Sequence, residues 1–182
     1  MNRCNAAVFL DRDGVLNKLV FREGRGASPR RFEDFELLPG VGEAVESIKR
    51  AGLLTVVVTN QPDLSRGALD RAELDRMHDF LRSTIQVGAI YVCSHDHRDR
   101  CDCRKPKPGL LWQAAKDLAI ELGRSYLVGD SWRDIEAGDA GGCVTLLVDP
   151  QNQQRPGVAP HFRVPNLLVA VEAILAHLPH RP

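Results

Sequence analysis

Ala6-Ala7-Val8-Phe9-Leu10-Asp11-Arg12-Asp13-Gly14-Val15-Leu16-Asn17 is the stretch whose reading decides the fold. Its opening apolar run, with β-branched Val8 and aromatic Phe9, is too short for a free-standing helix and suits a strand buried on both faces. The strand runs out into two acids, Asp11 and Asp13, and Gly14 lets the chain turn sharply behind them. The end of a central parallel strand is where open α/β sheets bind their ligands. Taken alone, Asp-x-Asp-Gly is equally an ordinary polar turn, because Asp and Gly are common turn residues. The rest of the chain decides between the two.

Working outward, the pattern alternates strand and helix. Residues 18–35 are polar, Arg-rich and Gly-containing, and read as a long loop. Val41, Ala44, Val45, Ile48 and Ala51 mark one helical face, closed by Gly52 at a C-cap position. Residues 53–59 read as a second buried strand and 70–82 as a helix, with Leu74, Met77, His78 and Leu81 on one side. A third strand at 88–92 is followed by a Cys-rich loop and a helix over 108–122. Residues 125–130 and 144–149 form the fourth and fifth strands, with a short helix from Trp132 between them, and an amphipathic helix spans 166–177. Strands separated by helices of this size imply a parallel sheet with right-handed crossovers. The expectation is one α/β domain over residues 1–182, a three-layer doubly wound parallel sheet with no internal repeat. Only 26 residues separate Asp13 from Gly40, too few for an inserted cap domain.

Composition narrows the function. The 182 residues are 43% hydrophobic, and 24 basic side chains balance 24 acidic ones. A neutral chain is a poor nucleic-acid binder of the kind that works by broad electrostatic attraction. No apolar run approaches the roughly 18 residues of a membrane span, and no leader-like apolar segment precedes the first strand. A cytoplasmic monomer without membrane or nucleic-acid partners is expected. Cys93, Cys101 and Cys103 crowd into one short segment, which in a reducing compartment favours a metal over a disulfide.

Three strands end in polar residues suited to chemistry. The first ends in Asp11 and Asp13, the second in Thr59-Asn60-Gln61, and the fourth in Gly129-Asp130-Ser131 with Asp134 four residues after Asp130. A parallel sheet puts all three ends on one edge, so acids distant in sequence converge. Several acids in one crevice repel each other, and oxygen-only ligands of this kind suit Mg²⁺. The competing reading, that Asp130 and Asp134 merely cap a helix, loses weight once Asp11 faces them.

Asp11-x-Asp13-Gly14-x-x-Asn17, Thr59-Asn60-Gln61, Lys105-Pro106-Lys107-Pro108-Gly109 and Gly129-Asp130-x-x-x-Asp134 resemble, in order, the four motifs of the haloacid dehalogenase superfamily phosphatases. Within that superfamily the chain is similar to the small zinc-containing branch that holds heptose 1,7-bisphosphate and histidinol-phosphate phosphatases. The resemblance implies that Asp11 is a nucleophile forming an aspartyl phosphate and that Asp13 is the acid and then the base. It implies Mg²⁺ on Asp11, the Asp13 carbonyl and Asp130, with Asp134 behind them. Thr59, Asn60 and Lys105 would contact the transferring phosphoryl group, with Asn17 and Gln61 in the substrate pocket. Arg12 receives no role.

Cys93-x-His95 and Cys101-x-Cys103 form two soft-ligand pairs that give a Cys₃His set for a structural Zn²⁺. His97 competes with His95, and the family pattern favours His95. Ser65-Arg66-Gly67 after Thr59-Asn60-Gln61 is similar to the sugar-binding loop of the heptose bisphosphatases, which implies removal of the C7 phosphate of a heptose 1,7-bisphosphate. The alternative is histidinol phosphate or another small sugar phosphate. Arg66 and Arg104 are expected to hold the far end of the substrate, since guanidinium forks suit phosphate. Pro62-Asp63 stands where those enzymes usually carry Ser-Gly, and the zinc loop is the short version. A phospho-acceptor receiver is the rival class, and Asp13 speaks against it, because an acid/base group there shortens the life of the phosphoaspartate. Cys4 and Cys143 are expected to be plain core or surface residues, and His78 a hydrogen-bonded core histidine.

Overall fold

The computed structural model describes residues 5–149 and 159–178, so Cys4 lies outside the described residues. Strands β1 (Ala7–Leu10), β2 (Val20–Arg22) and β3 (Arg25–Ala27) precede helix α1 (Val41–Arg50) and strand β4 (Leu54–Asn60). Helix α2 (Arg71–Thr84), β5 (Ala89–Cys93), helix α3 (Gly109–Leu118) and β6 (Tyr126–Gly129) follow. Helix α4 (Trp132–Gly141), β7 (Val144–Val148), β8 (Phe162–Val164) and helix α5 (Leu167–His177) complete the described order.

Six strands form one parallel sheet in the order β5-β4-β1-β6-β7-β8. β1 lies in the middle, and the chain moves outward first on one side of it and then on the other. The reversal falls between β1 and β6, where a doubly wound sheet opens a crevice at its carboxyl edge. Successive strand residues point to opposite faces. Val8, Leu10, Val57, Tyr126, Val128 and Leu146 pack with α1, α2 and α5 on one side. Ala7, Phe9, Val56, Val58 and Leu127 pack with α3 and α4 on the other. Both faces are covered, which is why these strands read as unbroken apolar runs.

Three expectations are corrected. Residues 18–35 are not a plain loop: β2 and β3 pair antiparallel, Val20 with Ala27 and Arg22 with Arg25. Glu23 and Gly24 both take positive φ, the backbone of a two-residue hairpin turn. The helix expected over 108–122 ends at Leu118, because Ala119 adopts the left-handed conformation and its N–H closes on Ala115. Ile120 then pairs with Asn5 beside the sheet. β8 was not anticipated. It is three residues long and pairs in parallel with β7 at the sheet edge, so it carries too little pattern to read as a strand.

Among the described residues, no helix is long and apolar enough to cross a membrane. Phe9 is fully buried in the central strand, whereas Phe21 on the hairpin is 82% exposed. Phe9→Ala is therefore expected to cost about 3–5 kcal/mol of unfolding free energy by urea titration, and Phe21→Ala less than about 0.5 kcal/mol.

Candidate active site

The carboxyl ends of β1, β4 and β6 share one edge of the sheet, and the Asp11 N–H donates to the Val128 carbonyl at 2.9 Å, tying the loop after β1 to β6. Two glycines let carboxylates come in against the strand ends. Gly14 has φ +84°, and a Cβ there would lie 2.2 Å from Asp130 Oδ2. A Cβ on Gly129 would lie 2.1 Å from the Cβ of Asp134. Carboxylate oxygens of Asp11, Asp130 and Asp134 consequently lie within 4.8 Å of one another.

One ammonium group is embedded in this cluster. Lys105 Nζ meets Asp11 Oδ1 at 2.7 Å and donates to Asp134 Oδ1 at 2.5 Å and to the Val58 carbonyl at 2.8 Å. All three of its N–H groups are used. Burial disfavours the charge on Lys105, but the Asp11 and Asp134 carboxylates outweigh it and push the pKa up. Asp11 moves the other way from an ordinary salt-bridged acid. Burial raises its pKa well above the usual range against the pull of Lys105, with the charges of Asp134, Asp130 and Asp13 adding to the rise. A divalent cation beside Asp11 and Asp130 would relieve that repulsion, and the all-oxygen donors fit Mg²⁺. Asp134 is committed elsewhere, since its Oδ2 accepts from the Ser131 N–H and hydroxyl while Lys105 takes Oδ1.

Asn60 does not point its amide at the crevice. Its Nδ2 donates to the Lys105 carbonyl at 3.1 Å and its Oδ1 accepts from the Lys105 N–H at 3.1 Å. It braces Lys105. Thr59 is buried, and its hydroxyl oxygen accepts from Gln61 Nε2 at 2.8 Å, which leaves its proton to donate.

Asp13 is wrapped by donors from four positions. Arg12 Nη2 lies 2.9 Å from Oδ1 and 3.1 Å from Oδ2, and Asn17 Nδ2 donates to Oδ1 at 3.0 Å. Ser28 Oγ at 2.8 Å and Gln61 Nε2 at 2.7 Å donate to Oδ2. Burial opposes the charge on this carboxylate, yet the Arg12 guanidinium and these hydrogen bonds hold its pKa below the usual value. Arg12, assigned nothing from sequence, is fully buried on the acid it precedes. Ser28 carried no sequence signal, because it lies in the stretch read as a loop. Asn17 Oδ1 and Gln61 Oε1 are buried acceptors with no partner among the described residues.

The second cluster is built from the end of β5 and the loop after it. Cys103 Sγ lies 3.2 Å from Cys93 Sγ, 3.5 Å from Cys101 Sγ and 3.3 Å from His95 Nδ1, and Cys93 Sγ lies 3.7 Å from both Cys101 Sγ and His95 Nδ1. These separations are far beyond a disulfide bond of about 2.05 Å. They are close to the edges, about 3.8 Å, of a tetrahedron with metal–sulfur arms of about 2.3 Å. Burial, followed by its two cysteine neighbours, pushes the Cys103 thiol up to about 12, a cost that a cation favouring thiolate would remove. His97 stands outside the set, exposed and paired through Nδ1 with Asp96 at 2.5 Å. Cys143 is buried in the core and His78 packs beside Arg12, as expected.

The two arginines singled out from sequence are already engaged. Arg66 is ion-paired with Asp63 and Asp96, and Arg104 Nη1 donates to the His95 carbonyl at 3.0 Å. Asp63 also pairs with Arg30 at 2.7 Å. Arg22, Arg30 and Arg31, from the Arg-rich run, line an open groove that contains none of Asp11, Asp13 or Lys105.

A family model described as HAD-hydrolase-like matches residues 102–170. The D-glycero-beta-D-manno-heptose-1,7-bisphosphate 7-phosphatase of Haemophilus ducreyi is 35% identical over 154 residues, covering 78% of this chain and 81% of the relative. The protein of that name from Pseudomonas aeruginosa is 37% identical, covering 78% of this chain and 79% of the relative. The crystal structure of D,D-heptose 1,7-bisphosphate phosphatase from B. bronchiseptica, complexed with magnesium and phosphate, superposes with a TM-score of 0.81 at 30% identity, covering 95% of this chain and 99% of that one. With its motifs on the strand ends described above, the chain belongs to the HAD-like hydrolases, in the family of the heptose-1,7-bisphosphate 7-phosphatases, and is a phosphatase.

Proposed function

We propose that this phosphatase removes the C7 phosphate from a heptose 1,7-bisphosphate with Mg²⁺, through an aspartyl phosphate on Asp11. The observation that carries the reading is the meeting of Asp11, Asp130 and Asp134 within 4.8 Å at the switch point of the sheet, with Lys105 among them. A phosphate ester dianion repels nucleophiles, so catalysis rests on charge neutralisation and in-line placement.

An Asp11 oxygen attacks phosphorus as the bond to the sugar oxygen breaks. Asp13 gives its proton to the departing alkoxide. Water then attacks the phosphoaspartate, Asp13 takes a proton from it, and the electron pair of the broken bond returns to Asp11. At rest Asp13 is a carboxylate. The like charge of an arriving phosphate dianion raises its pKa and favours the protonated form that the first step requires. Asp11, Asp130 and the Asp13 carbonyl would hold Mg²⁺, which would supply charge neutralisation for the phosphoryl group when bound, and Lys105 places a fixed positive charge beside Asp11. The Thr59 proton and the acceptors Asn17 Oδ1 and Gln61 Oε1 are suited to a phosphoryl oxygen and to hydroxyl donors.

Zn²⁺ on Cys93, His95, Cys101 and Cys103 would be structural, because four protein ligands leave no open position. It would stiffen the loop that leads directly into Arg104 and Lys105. The distal end of the substrate is assigned to Arg66 and Arg104. Since Arg66 already has two acidic partners, an incoming anion has to compete with them, and Arg104 is the stronger anchor of the two.

Three outcomes check the reading. Phosphate release should require Mg²⁺, vanish in Asp11→Asn, and slow by roughly 10²-fold or more in Asp13→Asn; Asp11→Asn activity near the parental rate would reject the mechanism. Elemental analysis should find about one zinc per chain, kept in Asp11→Asn and lost with a lower melting temperature in Cys101→Ser. Arg104→Ala should lower kcat/KM for a heptose bisphosphate by about 2–4 kcal/mol, far more than for a small monophosphate ester. Equal losses, or faster turnover of histidinol phosphate than of any heptose bisphosphate, would reject the substrate assignment.

A further inference from the structure

Arg12 is among the largest fully buried side chains of the described residues and carries a charge. Burying a guanidinium costs several kcal/mol, on the order of what a well-made pair returns. Its surroundings are specific. Nε and Nη2 address Asp13 Oδ1 at 3.2 and 2.9 Å, and Nη1 faces His78 Nε2 at 3.4 Å and Met77 Sδ at 3.8 Å. The Phe35 ring lies 5.5 Å from the guanidinium carbon. Asp13 is its one carboxylate partner among the described residues.

Three donors reach each Asp13 oxygen, and Arg12 alone addresses both. Oδ1 is gripped by Arg12 and Asn17, both from the loop that carries Asp13 itself. Oδ2 receives Arg12 Nη2 at 3.1 Å, Ser28, from just beyond the hairpin, and Gln61, from beyond β4. His78 can take the Nη1 proton only through an unprotonated Nε2. Burial, with Arg12 next, pushes the pKa of His78 down to about 3, so the ring is neutral wherever the enzyme works.

Resting on the phosphatase mechanism above, we propose that Arg12 is the positioning residue of the proton-transfer steps. Its planar fork spans both Asp13 oxygens and fixes the orientation of the carboxylate that hands the proton to the departing alkoxide and later takes one from water, and His78 holds Arg12 in that place. Arg12 touches neither the phosphoryl group nor the sugar. A lysine could supply the charge but not the planar fork.

Leaving-group dependence separates positioning from mere folding. A sugar or alkyl alkoxide needs the Asp13 proton to depart, whereas p-nitrophenolate does not. Arg12→Lys should lower kcat on sugar and alkyl phosphates by about 30- to 100-fold, within the range of acid/base help, with KM little changed. With p-nitrophenyl phosphate the rapid-mixing burst of nitrophenolate should stay within about threefold of the parent, while turnover after the burst slows, because dephosphorylation still needs Asp13 as base. His78→Leu, which removes the acceptor, should give the same split at smaller amplitude, and His78→Gln, which keeps one, should recover most of the loss. This pair decides the matter if Arg12→Lys fails to fold. Equal losses in the burst and on alkyl phosphates, or no loss on either, would overturn the assignment. Failure of the underlying mechanism looks different, as an undiminished burst in Asp11→Asn.

Discussion

The site depends on one constraint: a buried ammonium group has three N–H bonds, and Lys105 uses them on Asp11, Asp134 and the Val58 carbonyl. Val58 belongs to β4, Asp11 follows β1, and Asp134 lies in the first turn of α4. Three elements are thus pinned to one nitrogen at the crevice. Asn60 holds the backbone of Lys105 from both sides, so the charge cannot drift. The remaining negative charge around Asp11 and Asp130 is what makes this edge a cation site and, with a cation bound, a phosphate site.

Among the described residues no cap domain covers the crevice, so its walls are loops, and two acids tie them together. Asp63 accepts from Arg30 and Arg66, and Asp96 pairs with Arg66 while capping its own 3-10 turn. Each exposed pair contributes about 0–1 kcal/mol. Their effect is to set the hairpin side, the loop after β4 and the cysteine loop at fixed positions relative to one another. Asp63 is the acid shared between two of these loops, since Arg30 and Arg66 both pair with it.

The core elements were legible because burial on both faces writes itself as apolar runs, as in Val56-Val57-Val58, and because helix faces such as Val41, Ala44, Val45 and Ile48 repeat at helical spacing. The convergence of Asp11, Thr59 and Asp130 followed from parallel topology, whereas Lys105, which lies on no strand, came in only through the family resemblance. What stayed hidden depends on few residues or on packing. β2 and β3 are three residues each and rest on one turn, and β8 is as short. The end of α3 turns on a left-handed Ala119, a conformation that no propensity favours. Arg12 was given no role in its turn, and the engagement of Arg66 by Asp96 spans 30 positions of sequence. Neither leaves a local pattern.

The central position of β1 has a consequence for how the molecule is made. β1 is the first strand of the sheet in the chain, yet it pairs with β4 and with β6, and the Ala7 N–H reaches the Ser125 hydroxyl 118 positions away. Pairings of that sequence separation are slow to form, because loop closure must be completed before they stabilise anything. Until β6 docks, Asp130 and Asp134 stand apart from Asp11, and a chain emerging from the ribosome has its nucleophile early and its cation site late. The cation site is therefore complete only once β6 has docked against β1.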